Sequence, residues 1–191
     1  VRQDAKRNRE LILAAAEAVF GAHGAGGSTE EVARRAGVGI ATVFRHFPTK
    51  EALVEAALLR HFDHLAARAA DLADDPDPTT AWRALIRAMI ETGATKVTLA
   101  AALTNTTGTD TDTGTSIPAS AAAASDRLKT AVDGVLRRAR QHGAVRAEVT
   151  IEEVYLLIRA LAQAAATMPT DPDTLDRAID VVLTGLARPV S

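Results

Sequence analysis

The sequence predicts an all-α fold, and three observations predict it. Alanine, the best helix former and a poor strand former, supplies 41 of the 191 residues. No stretch sustains the apolar/polar alternation that a half-buried strand requires. Apolar residues recur instead at three- and four-residue spacing, between glycine, proline and capping signals, along most of the chain.

The elements follow in order. Leu11, Ile12, Ala15, Ala16, Val19 and Phe20 form a first helical stripe, which Gly21, Gly24, Gly26 and Gly27 are expected to stop. Ser28, three residues before Glu31, reads as a capping box opening a short helix through Ala36, and Gly37 breaks it. A second short helix is expected from about Ile40 to Phe47, ended by Pro48. Thr49 then caps a long helix to about Ala73, with Leu53, Val54, Ala57, Leu58, Phe62 and Leu65 as its apolar face.

After the stiff acidic linker Asp74-Asp75-Pro76-Asp77-Pro78, one helix is expected from Thr79 or Thr80 to about Leu103. It turns Trp82, Leu85, Ile86, Met89, Ile90 and Val97 inward. Residues 104–118 are a Thr/Gly/Asp-rich stretch expected as a flexible loop, and its Asn105-Thr106-Thr107 triplet matches a glycosylation signal only by chance. Three further helices are expected: Ala119 to about His142, closed by Gly143; from the Thr150/Glu153 capping box to about Met168; and from Asp171-Pro172 to about Ala187.

Composition narrows the function. With 47% hydrophobic and 24% charged residues, the chain can bury a core and remain soluble. No run approaches the ~18 apolar residues of a membrane span, and the first residues are not a signal peptide, so a cytoplasmic protein is expected. The absence of cysteine excludes disulfides, thiol nucleophiles and cysteine-ligated metals. The net charge of −2 hides an asymmetry: residues 1–60 carry nine Lys/Arg against seven Asp/Glu, and the remainder is acidic. A mildly basic head on an acidic body suits a polyanion-binding module beside a regulatory one.

The informative stretch runs from Thr29 to Pro48. Ala33 supplies the small residue that two steeply crossing short helices need where they touch. Gly37 tolerates the positive φ of the turn, and Val43 anchors the second helix from inside, with Val32, Ala36 and Val38 around it. That arrangement is a helix-turn-helix; an ordinary helical hairpin would use the same residues.

Taken with Arg9–Phe20, His23-Gly24 and the run Thr42-Val43-Phe44-Arg45-His46-Phe47-Pro48-Thr49-Lys50-Glu51-Ala52-Leu53, the stretch Glu30–Val38 resembles the TetR-type transcriptional regulators over roughly residues 7–56. The resemblance implies that Thr29 bonds a phosphate and that Ile40, Ala41 and Thr42 face the major groove. Arg45 and His46 follow on the groove side, and Lys50 pairs with a phosphate. Phe44 stands where the family usually has a phosphate-bonding tyrosine, so only packing is expected of it. Gly39 and Ala41 offer no hydrogen bond to bases. That leaves Thr42, Arg45 and thymine-methyl contacts by Ile40 or Ala41 as readers. Ala25 replaces a larger apolar residue, which suggests a looser first helix.

Other features read blandly. His61 and His64 stand at i, i+3, but no third metal ligand is evident. Gly24–Gly27 lacks the strand and the Gly-Lys-Thr of a phosphate loop, and Arg137, Arg138 and Arg140 suit a solvated helix C-terminus. No hydrolase, zinc-protease or kinase motif appears, so no catalytic residue, cofactor or metal is assigned and an enzyme is not expected.

The helix from Ile151 confines Glu152, Arg159 and Gln163 to one stripe and is apolar elsewhere, more so than one core can use. Val154, Leu157, Ile158, Leu161 and Ala165, with Leu175, Ile179, Val182, Leu183 and Leu186 of the last helix, are expected to form a two-fold four-helix dimer interface. Phe62, Trp82, Met89 and Thr92 are candidate walls of a ligand pocket, although Trp82 and Met89 could simply fill core.

The reading is a DNA-binding head (1–48), a connecting helix (49–74) and a ligand-binding and dimerisation body (75–191). Its partners would be double-stranded operator DNA, a second copy of the chain and a small molecule, with no membrane. Through the resemblance, function is expected to be that of a repressor released when a ligand tilts the connecting helix and alters the spacing of the two recognition helices. A DNA binder without inducer, and an all-α enzyme or metal-binding helical protein with a similar head, are the alternatives.

Overall fold

In the computed structural model, residues 2–106 and 118–187 are described; Thr107 of the Asn105-Thr106-Thr107 triplet and residues 108–117 of the expected 104–118 loop lie outside them. Among the described residues there are nine α-helices, one turn of 3-10 helix and no strand. They are α1 (Arg2–His23), α2 (Thr29–Ala36), α3 (Ile40–His46), α4 (Lys50–Ala73), α5 (Pro78–Glu91), α6 (Gly93–Thr106), α7 (Ala119–Gln141), α8 (Ile151–Thr167) and α9 (Pro172–Leu186), with the 3-10 turn at Gly24–Gly26. The all-α class holds.

Two expected boundaries fail for one reason, the close approach of another helix. Gly21 does not stop α1, which runs on to His23; a Cβ at Gly21 would lie 2.8 Å from the methyl of Thr95. Thr98 seals that crossing by donating its hydroxyl to the Gly21 carbonyl at 2.9 Å. The single helix expected from Thr79 to Leu103 is two helices, broken at Thr92, whose hydroxyl donates to the Ala88 carbonyl at 2.7 Å. At the next residue a Cβ would come within 2.5 Å of Ala162 Cβ, so Gly93 lets α8 approach closely.

The chain divides into two compact units, Val1–His61 with Thr95–Ala124, and Phe62–Ala94 with Ser125–Ser191. In the first, Ile12, Ala15, Ala16, Val19 and Phe20 of α1 are buried, as are Leu53, Val54, Ala57 and Leu58 of α4; Leu11, expected in the same stripe, is exposed. Arg60 of α4 ties back to α1 by ion pairs to Glu10 (3.2 Å) and Glu17 (2.7 Å).

The second unit is built on Trp82, Leu85, Ile86, Met89 and Ile90 of α5, with Val132, Val135 and Leu136 of α7, Val154 and Ile158 of α8, and Ile179 and Leu183 of α9, all buried. Arg83 meets Asp180, and Arg87 meets Asp176 and Asp180, so α5 and α9 run antiparallel. Arg138 and Arg140, expected on a solvated face, are instead half-buried and donate to the carbonyls of Ala73 and Val149.

Candidate nucleic-acid interface

Local chemistry fixes the geometry of α2 and α3. The Ser28 hydroxyl accepts from the Glu31 N–H at 3.1 Å and starts α2. Glu31 turns its carboxylate toward Arg34 (3.8 Å), so the cap bond forms from the serine side. Gly37 ends α2 at φ 69°, in the left-handed region that favours glycine, and the Val38 N–H returns to the Ala33 carbonyl at 3.1 Å. Ala33 and Val43 are buried, with Val32 and Ala36 completing a small core. The helix-turn-helix is therefore packed as the Ala33/Gly37/Val43 pattern requires.

With Val43 turned inward, α3 presents a distinct outer face. Ile40 is 37% exposed and Phe44 44%; Ala41 and Arg45 are exposed, and Thr42 and His46 are half-buried. Seven helical residues span about 10 Å, short enough to lie in a major groove about 12 Å wide. Exposed Arg34 and Arg35 at the end of α2 add positive charge. Phe44, placed by the resemblance on the DNA side, stands in solvent, because the residue before it takes the inner position.

Two expected phosphate contacts are less free than the sequence suggests. Thr29 is buried at the start of α2. Lys50 donates to the Ala25 carbonyl at 2.7 Å and stands 5.5 Å from the centre of the Phe20 ring. That bond ties α4 to the turn after α1, at the point where the small Ala25 side chain gives little packing. An ammonium has three donors, so Lys50 still has hydrogens to offer an anion. Arg9, which sequence reasoning did not assign, stands 5.3 Å over the buried Phe47 ring and braces the end of α3.

Three of the four candidate ligand residues are core residues, and Thr92 is half-buried. Phe62, Trp82 and Met89 are buried, and Thr92 spends its hydroxyl on the Ala88 carbonyl. An open recess of about 500 Å³ lies elsewhere, among Lys6, Arg7, Glu10, Leu11 and Arg60. Sequence reasoning missed Tyr155, the single tyrosine, which is buried on α8 within the same unit as Trp82. Among the described residues neither the Trp82 indole N–H nor the Tyr155 hydroxyl has a hydrogen-bond partner. Burial pushes the Tyr155 phenol up to about 12, Arg159 over its ring opposing only in part. A lone tyrosine in an apolar helix was the available signal.

The expected dimer residues separate into two groups. Val154, Ile158, Ile179, Leu183 and Leu186 are buried within their own chain; Leu157, Leu161, Ala165, Leu175 and Val182 are half-buried. The large apolar side chains that α8 and α9 expose are Leu156 (68%) and Val181 (72%), neither of them among the expected residues. Helical spacing identifies the stripe but not which side of it faces inward. His61 is buried and His64 exposed, and no group of three metal-binding side chains occurs among the described residues. No described helix is long and apolar enough to cross a membrane.

Comparison with known proteins agrees with this architecture. Residues 12–57 match the model of bacterial regulatory proteins of the TetR family, and residues 77–188 match that of the SbtR-like transcriptional regulator C-terminal domain. No curated protein matches the chain. A TetR transcription regulatory protein from Mycobacterium vanbaalenii is 30% identical over 98% of this chain and 99% of its own, with a TM-score of 0.77. A TetR transcriptional regulator from Streptomyces coelicolor is 29% identical over 95% of this chain and 99% of its own, at 0.78. The fold is also shared, at 20% identity and 0.67 over 96% and 98% of the two chains, by the TetR-like regulator LfrR from Mycobacterium smegmatis, solved in complex with proflavine. The C-terminal match alone spans more than half of the sequence, and this chain belongs to the TetR family of transcriptional regulators.

Proposed function

We propose that the chain is a homodimeric repressor that binds an inverted-repeat operator through α3 and leaves it when a small molecule enters the second unit. The outer face of α3, with exposed Arg45 and half-buried Thr42 beside Ile40, Ala41, Phe44 and His46, is the observation that carries the DNA-binding part. Lys50 and Thr29 supply backbone contacts. A dimer sets two such helices about one DNA turn apart, ~34–36 Å. A ligand that favours another tilt of α4 then weakens binding with a coupling of only ~1–3 kcal/mol.

The ligand reading is supported by the two unpartnered donors of the second unit. A buried donor left without an acceptor costs about 1–3 kcal/mol, a cost that a ligand oxygen at Trp82 or Tyr155 would relieve. Phe62, Met89 and Thr92 would line the same space, opened by rearrangement of flexible Met89. A thermal-shift screen followed by mobility-shift assays tests this. A compound that releases DNA should change the emission of Trp82, the single tryptophan. A releasing compound that leaves this emission unchanged would place the ligand elsewhere.

A further inference from the structure

The outer edge of α3 is apolar where a base-reading helix could carry amides or guanidinium groups. Ile40 and Phe44 stand one turn apart, so they share a face, and both are more than a third exposed. Exposed Ala41 lies beside them, and Gly39 ahead of them has no side chain to contribute. Single exposed apolar residues need no explanation, but two large ones on one turn of a seven-residue helix form a surface. Arg45, next to Phe44 in the chain, is exposed, and so are Arg34 and Arg35 at the end of α2. An apolar partner framed by anionic groups satisfies both features. The major groove offers one: the thymine 5-methyl group, flanked by phosphates.

We infer that Ile40 and Phe44 read thymine 5-methyl groups and that the operator half-site carries thymine at the positions they face. The inference rests on the DNA-binding reading of α3 and adds the chemistry of the sequence it selects. Phe44 is then a specificity residue, not a tyrosine that has lost its phosphate bond. Its ring supplies shape and apolar area, with no hydrogen-bond direction to satisfy.

The test places the first change on the DNA, so that protein folding is not at issue. The full-length protein is titrated with a duplex carrying its preferred inverted repeat, selected from a random pool. The same duplex is then made with each half-site thymine replaced by deoxyuridine, which removes the methyl and keeps the base pair. Affinity should fall about fourfold per methyl that is read, the equivalent of one buried methylene, at one or two positions in each half-site. Phe44→Ala and Ile40→Ala should each abolish sensitivity at one of those positions, so that each variant binds the thymine duplex and the duplex with deoxyuridine at that position alike. Phe44→Leu should keep part of it. Equal affinity for thymine and deoxyuridine duplexes at every position would overturn the inference and leave DNA binding standing. Failure to select or bind any duplex in a salt-dependent manner would overturn the DNA-binding reading itself.

Discussion

At φ 69°, Gly37 occupies backbone space that any other residue enters with strain, and nothing lies within 4 Å of the position a Cβ would take. Gly37→Ala should therefore cost ~1–2 kcal/mol through backbone conformation alone, a loss readable as a lower denaturation midpoint. The role of this glycine was legible in the sequence because its neighbours Ala33 and Val43 obey the same local geometry. Exposure was not always so: Leu11 has the spacing of the buried stripe of α1 and is 43% exposed. Arg45 and Lys50 make separable predictions. Arg45→Ala should relax preference at one base pair by ~1–3 kcal/mol. Lys50→Ala should weaken all duplexes alike and reduce the salt slope by about one contact; an unchanged slope would mean that Lys50 serves only the Ala25 carbonyl. Tyr155 gives a pH test. Its phenol is held up to about 12 in the folded chain, above the ordinary value of 10.0, so the stability it contributes is complete below pH 10 and lost as pH rises toward 12. Absorbance titration of this single tyrosine should show a midpoint near 12, and Tyr155→Phe should remove the corresponding loss of stability in alkali.

Helix boundaries were legible wherever the signal was local. The cap at Thr150 is an example: its hydroxyl accepts from the Glu153 N–H at 3.2 Å, and the Glu153 carboxylate accepts from the Thr150 N–H at 2.7 Å. Boundaries set by a distant contact were not. Gly21 looks like a helix breaker and is a crossing point; Thr92-Gly93 looks like helix interior and is a break, because what matters is the proximity of Thr95 and Ala162. Gly93→Ala should accordingly destabilise by ~1–3 kcal/mol through overpacking. Gly134→Ala, with open space around its Cβ in the middle of α7, should be neutral or stabilising. Equal effects in thermal unfolding would show that α5, α6 and α8 do not need the close approach.

For the whole molecule, the DNA-binding head was readable because it follows a local pattern of residue types, whereas the assembly surface depends on which side of α8 and α9 the core consumes. Apolar periodicity alone assigned Ile158 and Leu183 to an interface, yet both are core. In the proposed dimer the contact falls on Leu156 and Val181 with half-buried Leu157 and Leu161. Leu156→Glu should yield folded monomers in sedimentation, while Ile158→Glu should unfold the chain. Because each half-site alone binds weakly, such monomers should lose operator affinity although α2 and α3 remain intact. The most direct measurement is fluorescence anisotropy of a labelled inverted repeat titrated with the full-length protein across a range of salt. The account predicts saturation at a multiple of two chains per duplex, affinity falling steeply with salt, and much weaker binding to a single half-site. Identical affinity for the repeat, the half-site and an unrelated duplex at every salt concentration would contradict it.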